Sequence, residues 1–308
     1  MDLTPSNLDI LWRTYDFSWQ KGLSADLPLF YPRIATERPS GSTTQVYPFM
    51  GLVPQLKQWT SERNLINVAS YSYEIENKDY ELAIAIDRNK IEDDTWAVYG
   101  AVIEEMGRSA RKWPDIQIAT LMQAGKTGVC FDGQYFFDSD HPKDPNAVSV
   151  GTQSNIYTSC ALSPANYAST RSAMMSLVGE NGLPQGIQPD LLVVPPQLEY
   201  VARQILNADF IVAQASGLPT SGGTNVLKGS ADLLVVPEIG NEPTTWYLLD
   251  TTRVIRPFIW QLRKAPQFVQ AISPSDRNVL LNKRFEYFVD ARGSAGYGLW
   301  QLAARCEA

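Results

Sequence analysis

The chain has 308 residues, 44% of them hydrophobic and 19% charged, the balance of an ordinary folded protein long enough for about two domains. Its net charge of −7, with no Lys/Arg block, excludes the clustered positive footprint that a sequence-specific DNA binder needs. No apolar run approaches the roughly 20 residues of a membrane span, and Met1-Asp2-Leu3-Thr4-Pro5 lacks a charged-then-apolar signal, so the chain reads as soluble and intracellular when made.

In chain order, the first element is an amphipathic helix over Ser6 to Lys21, with Leu8, Leu11, Tyr15 and Trp19 at three- and four-residue steps and Ser6 as its cap. Pro28, Pro32 and Pro39 then make residues 22–42 an extended arm. From Tyr71 to Ile86 the pattern changes to alternation: Tyr71, Tyr73 and Ile75, a turn or bulge at Asn77-Lys78, then Tyr80, Leu82, Ile84 and Ile86. Such a ribbon has little to bury by itself and needs a neighbour to pack on. A long helix follows over about 94–124, opened by Asp93, Asp94 and Thr95. Its apolar stripe is Trp96, Tyr99, Val102/Ile103, Met106, Ala110 and Trp113, with Pro114 as a possible kink.

In the second half a helix over Ser163–Gly179 opens with Ser163-Pro164, as helix starts do. Asp190-Leu-Leu-Val-Val-Pro195 recurs as Asp232-Leu-Leu-Val-Val-Pro237, and we read the pair as two core strands of one sheet, covered on both faces, rather than as a duplicated unit. Between them come a helix over Gln197 to Asn207, with Leu198, Val201 and Ile205 inward, and a mobile loop at Ser216–Gly223. The C-terminal runs Arg284–Ala291 and Tyr297–Ala304 read as a hairpin hinged at Arg292-Gly293-Ser294.

Candidate chemistry centres on His141, the only histidine, within Phe131-Asp-Gly-Gln-Tyr-Phe-Phe-Asp-Ser-Asp-His-Pro142. Asp132, Asp138, Asp140 and His141 offer oxygen and nitrogen ligands, but there is no second histidine, no EF-hand register, and only Cys130 nearby at zinc-ligand spacing. Asp-Ser-Asp-His-Pro is good turn chemistry, so Asp138, Asp140 and His141 are expected to form a structural turn anchored by Phe136-Phe137 at the base of the long helix. Gly125-Lys126-Thr127 imitates the end of a phosphate loop, but the earlier glycine is missing and a helix, not a strand, precedes it. The chain has no Gly-x-Ser-x-Gly elbow. The pairs Glu104-Glu105 and Asp93-Asp94 read as solvated helix faces. Cys130, Cys160 and Cys306, three and far apart, suit free thiols better than a disulfide framework. We therefore expect no catalytic residues, no metal and no cofactor.

Several segments carry a family resemblance. Glu76-Asn-Lys-Asp-Tyr-Glu81, Ile91-Glu-Asp-Asp94, Glu105-Met-Gly-Arg-Ser-Ala110, Phe131-Asp-Gly-Gln134 and Phe137-Asp-Ser-Asp-His-Pro142 resemble the Mu-like bacteriophage major head subunit family. So do Asp290-Ala-Arg-Gly293 and Gly296-Tyr-Gly-Leu-Trp-Gln301. The matches run in order from about residue 5 to 304, with 160–260 matching by pattern more than by wording. The resemblance implies a major capsid protein of the Hong Kong 97 type, an α+β fold with an N-terminal arm (1–38), an extended β-hairpin loop (39–86), a peripheral domain with a long spine helix (87–162), an axial domain with a central sheet (163–250) and a return to the peripheral domain (251–308). It further implies pentamers and hexamers in an icosahedral shell around double-stranded DNA, located in the virion after assembly in the bacterial cytoplasm. The implied partners are a separate scaffold or protease, a portal and decoration proteins, with DNA contacted non-specifically and no membrane contact. The start at Met1 without a long charged helical extension suggests scaffolding from another protein. No lysine–asparagine pair like the cross-link of the type phage can be placed. The alternatives are an encapsulin-like nanocompartment shell and, more distantly, a metal-dependent enzyme centred on Asp138, Asp140 and His141.

Overall fold

A computed structural model describes residues 4–50, 70–93, 98–143, 151–179, 182–211, 214–215, 218–219 and 223–308. The first helix spans Pro5–Leu23 and is capped by Thr4, whose hydroxyl accepts from the Asn7 N–H at 3.3 Å, with Pro5 occupying the first turn where no N–H is needed. The cap is therefore two residues earlier than Ser6. Leu8, Tyr15 and Trp19 are buried as expected. The helix lies against the long spine helix, Val98–Gln123, which is continuous through Pro114 and about 39 Å long at 1.5 Å per residue. Gly22 and Gly107 set the approach: a Cβ on Gly107 would stand 2.5 Å from the Trp19 carbonyl oxygen, and one on Gly22 would stand still closer to that of Glu104. Lys21 pairs with Glu104 at 2.8 Å beside the crossing. Ile103, Met106 and Trp113 are buried on the spine helix, whereas Val102 is exposed; Trp96 lies outside the described residues.

The segment after the first helix departs from a simply extended arm. Tyr31–Ile34 forms a helical turn that leads into the strand Ala35–Pro39. The carboxylate of Asp115, on the spine helix, accepts the N–H of Tyr31 at 2.8 Å and of Phe30 at 3.2 Å, satisfying donors that a short helix leaves free. No local pattern reveals a cap supplied from more than eighty residues away.

Ala35–Pro39 is the edge of a four-stranded sheet. It pairs in parallel with Phe258–Ala271, which pairs antiparallel with Arg284–Tyr297, which pairs antiparallel with Lys78–Asp87. The expected hinge at Arg292-Gly293-Ser294 is absent: Arg284–Tyr297 is one unbroken strand. Gly293 answers to space rather than to turning, since a Cβ there would stand 2.6 Å from the Gln261 carbonyl and 3.1 Å from the Trp113 ring. The chain leaves this sheet only after Tyr297, through the short helix Trp300–Leu302.

The ribbon read from 71 to 86 is split between two sheets. Ser70–Glu76 pairs antiparallel with Thr44–Met50, and Lys78–Asp87 joins the four-stranded sheet. Asn77, at the break, is buried; its amide donates to Ser40 Oγ at 2.9 Å and to the Ser42 carbonyl at 2.8 Å, and accepts from Gln261 at 2.8 Å.

A five-stranded sheet has the order Asp232–Val235, Leu191–Val194, Trp246–Leu249, Ala303–Cys306 and Ile156–Tyr157. The repeated hexapeptides are indeed neighbours in one sheet, in parallel, with Asp232 opposite Leu191. Leu191–Val194 is covered on both faces, but Asp232–Val235 is an edge strand and only half-buried. The helix from Ser163 ends at Met175, four residues early, because Val178 instead bridges Pro184 antiparallel. The helix after the first hexapeptide spans Glu199–Asn207, with Ala202, Ile205 and Leu206 buried and Leu198 and Val201 half-buried against them. Most of the Ser216–Gly223 loop lies outside the described residues.

Phe136 and Phe137 join the two sheets. Phe136 stacks on Tyr297 at 4.6 Å and meets Phe258 at 5.3 Å, in the four-stranded sheet, while Phe137 meets Tyr247 at 5.6 Å, in the five-stranded one. Phe137 also presses on Gly125 at the end of the spine helix, where a Cβ would collide with its ring.

Candidate functional site: a buried turn and outward apolar faces

The aromatic pair places the His141 segment at the junction of the sheets. His141 is fully buried, its ring stacked on Trp300 at 3.9 Å with 8° between planes. Nδ1 lies 2.7 Å from Oδ2 of Asp132, and Oδ1 of the same carboxylate accepts the Cys130 thiol at 2.9 Å. Burial alone would raise the pKa of Asp132; the bonds from His141 and Cys130 overcome it and hold the carboxyl below its usual range. Burial, then the adjacent Asp132 charge, pushes the Cys130 thiol up, away from the thiolate that a nucleophile needs. The carboxylate also stands between thiol and imidazole, so the ring is not placed to take the thiol proton directly.

Of the possible ligands Asp132, Asp138, Asp140 and His141, the fold brings together Asp132 and His141 but not Asp138 and Asp140. Asp138 is half-buried and caps Ser139 N–H at 2.7 Å, and its own N–H donates to Asn155 at 2.9 Å. Asp140 is exposed, and its carboxyl lies against that of Asp138, which raises its pKa. The three groups that do converge are Cys130, Asp132 and His141, with ligand atoms within 4.8 Å of one another. Both carboxylate oxygens already serve hydrogen-bond donors there, and the trio forms a polar pin between the turn and Trp300, with Nε2 of His141 buried and without a partner among the described residues. Asn155 completes it, donating to the carbonyls of Phe136 at 2.8 Å and Trp300 at 3.2 Å. Trp300 and Asn155 were beyond sequence reasoning, but Asp132 carried a signal: an acid in the same dozen residues as the lone histidine.

Other motifs resolve into structure. Lys126 of the phosphate-loop imitation pairs with Glu307 at 3.0 Å. Arg305, almost fully buried, binds Glu242 at 2.9 Å, Glu307 at 2.7 Å and the Tyr247 hydroxyl at 3.0 Å. No helix among the described residues is long and apolar enough to cross a membrane.

The outside is different. Phe17, on the first helix, is 70% exposed, and Val98 and Val102, flanking the point where Gly100 meets Ser18, are exposed as well. Leu280 and Leu281 stand out in the short helix at the tip of the Phe258–Tyr297 hairpin. An apolar groove of about 190 Å³ runs between spine helix and sheet, lined by Ala110, Trp113, Ile116, Leu82, Val289 and Pro266. In the ribbon, Val46 is 47% exposed and Ile75, at its base, is buried. Apolar surface spread over several faces is what a subunit with many neighbours presents.

Solved structures of similar fold include subunits of phage capsids and of a virus-like particle. The procapsid protein of bacteriophage JBD30 matches with a TM-score of 0.58 and 27% identity, over 99% of this chain and 76% of that one. A virus-like particle protein from Pyrococcus furiosus matches with a TM-score of 0.54 over 96% and 99%, at 8% identity, which is a likeness of fold alone. The fold and its outward faces define a capsid subunit of the Hong Kong 97 type, a structural protein and not an enzyme.

The family model for the Mu-like prophage major head subunit gpT matches residues 8–161, 156–239 and 238–308. The Mu-like prophage FluMu major head subunit of Haemophilus influenzae is 30% identical over 302 residues, 98% of this chain and 73% of the relative. The major capsid protein of Escherichia phage Mu is 28% identical over 305 residues, 98% and 74% of the two. The chain belongs to the Mu-like major head subunit gpT family and serves as a major head protein of a tailed-phage virion.

Proposed function

We propose that the subunits form pentamers and hexamers of a closed icosahedral shell around double-stranded DNA, each contact modest and persistence supplied by many of them. The observation that carries this reading is the ribbon of Thr44–Met50 and Ser70–Glu76, which is paired with itself and packs Tyr47, Tyr73 and Ile75 on the subunit, while Thr44, Val46, Pro48, Ser72 and Glu74 are exposed. Its free faces are for a neighbour. We divide the chain into an arm, an extended loop, a peripheral domain with the spine helix, an axial domain and a C-terminal return. Two features support it: the peripheral sheet gathers Ala35–Pro39, Lys78–Asp87 and the Phe258–Tyr297 hairpin, and the axial sheet holds Leu191–Val194 at its middle. Lys78–Asp87 then moves the inner limit of the loop to Asn77, and the last strand, Ala303–Cys306, belongs to the axial sheet. A separate scaffold or protease, a portal and decoration proteins act with it, and the net negative charge suits a wall that touches packaged DNA non-specifically without holding it. The His141 turn is structural and holds no metal.

The ribbon gives the test. A variant lacking Tyr47–Tyr71 is expected to stay soluble and folded by circular dichroism but to form no shells, tubes or capsomer rings in negative-stain microscopy. Shells of normal diameter from that variant would refute the role given to the ribbon, and an unfolded variant would make the segment core.

A further inference from the structure

The shell reading leaves one cluster unused. Cys160 and Cys306 are both buried and free, and both contact the hydroxyl of Thr170, whose Oγ1 is 3.8 Å from one sulfur and 3.3 Å from the other. Backbone holds them side by side. Cys306 lies opposite Tyr157 in the parallel pairing, the Cys160 N–H donates to the carbonyl of Glu307 at 2.6 Å, and the Cys160 carbonyl accepts the Trp246 indole N–H at 2.8 Å. Cys130 takes no part; its thiol is committed to Asp132.

We propose that Cys160 and Cys306 are a dithiol that closes to a disulfide within one subunit when the head passes from the reducing host interior to oxidising surroundings. The bond ties the Ile156–Tyr157 edge of the five-stranded sheet to the Ala303–Cys306 strand. Only the occasion of oxidation rests on the shell reading; the chemistry rests on the two sulfurs. With oxidised glutathione as the oxidant, the Cys160 sulfur, slightly the less enclosed, attacks one glutathione sulfur and expels a glutathione thiolate. The Cys306 sulfur then attacks the mixed disulfide at Cys160, forming the Cys160–Cys306 bond and expelling the second thiolate. The two thiol protons end on the two glutathiones, so two cysteines are oxidised and one disulfide is reduced to two thiols. Burial pushes the Cys306 thiol up, while the Thr170 hydroxyl favours its thiolate. Closure is therefore slow, gated by opening of the short edge strand, and the thiols stay reduced during assembly.

The test is mass spectrometry. Unassembled full-length protein and assembled particles are each incubated with oxidised glutathione, alkylated under denaturing conditions and digested without reduction. The expected product is a linked pair of peptides carrying Cys160 and Cys306, about 2 Da lighter than the two thiol peptides together and separated by dithiothreitol, with Cys130 alkylated. Oxidation should raise the unfolding midpoint of the unassembled protein by roughly 5–10 °C, and should not do so in Cys160→Ser. Recovery of all three cysteines as alkylated thiols would overturn the proposal. So would glutathione adducts without the link, or links to Cys130 or between subunits. If Cys160→Ser does not fold, the mapping of the unaltered protein decides by itself.

Discussion

Replacing Trp113 by alanine probes the contact between spine helix and sheet. Its ring meets Trp260 edge-on at 4.7 Å and Tyr80 at 5.0 Å, and Gly293 leaves the space it fills. A fully buried tryptophan cut to alanine costs about 3–5 kcal/mol. Two features lower that figure. One side of the ring lines the open groove, and the indole N–H is buried with no acceptor among the described residues, so its loss removes a desolvated donor that costs about 1–3 kcal/mol to keep. The expected loss is about 2–4 kcal/mol. Trp113→Phe, which keeps a ring and discards the unpaired N–H, should lose no more than about 1.5 kcal/mol. Urea unfolding of unassembled subunits, followed by far-ultraviolet circular dichroism with an unchanged slope, measures both. A loss under about 1 kcal/mol for the alanine variant, or equal losses for both, would refute this account of the packing.

His141→Ala should lower the unfolding midpoint by several degrees without altering metal content. Near-stoichiometric zinc, calcium or manganese in chelator-free protein, lost in this variant, would instead make Cys130, Asp132 and His141 a metal site. Asp132 has a depressed pKa in the folded state, so its contribution is present above its unfolded value, near 3.8, and is lost as pH falls below that. Asp132→Asn should be less stable at neutral pH and should show a shallower loss below about pH 4 than the parent in midpoints taken across an acid series. Gly107→Ala puts a methyl 2.5 Å from the Trp19 carbonyl and should push the first helix off the spine helix. Faster proteolysis within residues 5–23 would register that movement, and an unchanged digestion pattern would count against it.

Where side-chain spacing carries the information, the sequence is readable. The Leu/Val hexapeptides announce two strands of one sheet, but only Leu191–Val194 is covered on both faces, since Asp232–Val235 lies at the edge, and the spine helix is marked by Ile103, Met106 and Trp113 at helical steps. What escapes is set by distant partners. Arg292-Gly293-Ser294 has the composition of a turn, yet Gly293 serves the ring of Trp113 from another element. Pro28, Pro32 and Pro39 suggest an extended arm, and the helical turn at Tyr31–Ile34 exists because Asp115 caps it. At the candidate site, turn chemistry located the His141 segment, but the partner of the ring is Asp132 rather than Asp138 or Asp140, since alternation of exposed and buried positions in so short a loop has no fixed period.

The strand pairing of the four-stranded sheet bears on how fast heads can be made. Its two outer strands, Ala35–Pro39 and Lys78–Asp87, both come from the first third of the chain, and both find their partners only in the hairpin that begins at Phe258. During synthesis they wait, unpaired, while well over a hundred residues emerge. Contacts so far apart in sequence close slowly, because the entropy of the intervening loop is lost before any pairing repays it. Until then the edges of those strands are open to other chains, and an infected cell holds many copies at once. The long wait for residues 258–297 therefore makes the folding of each subunit, and not only the joining of finished ones, a step at which copies of the chain can pair wrongly.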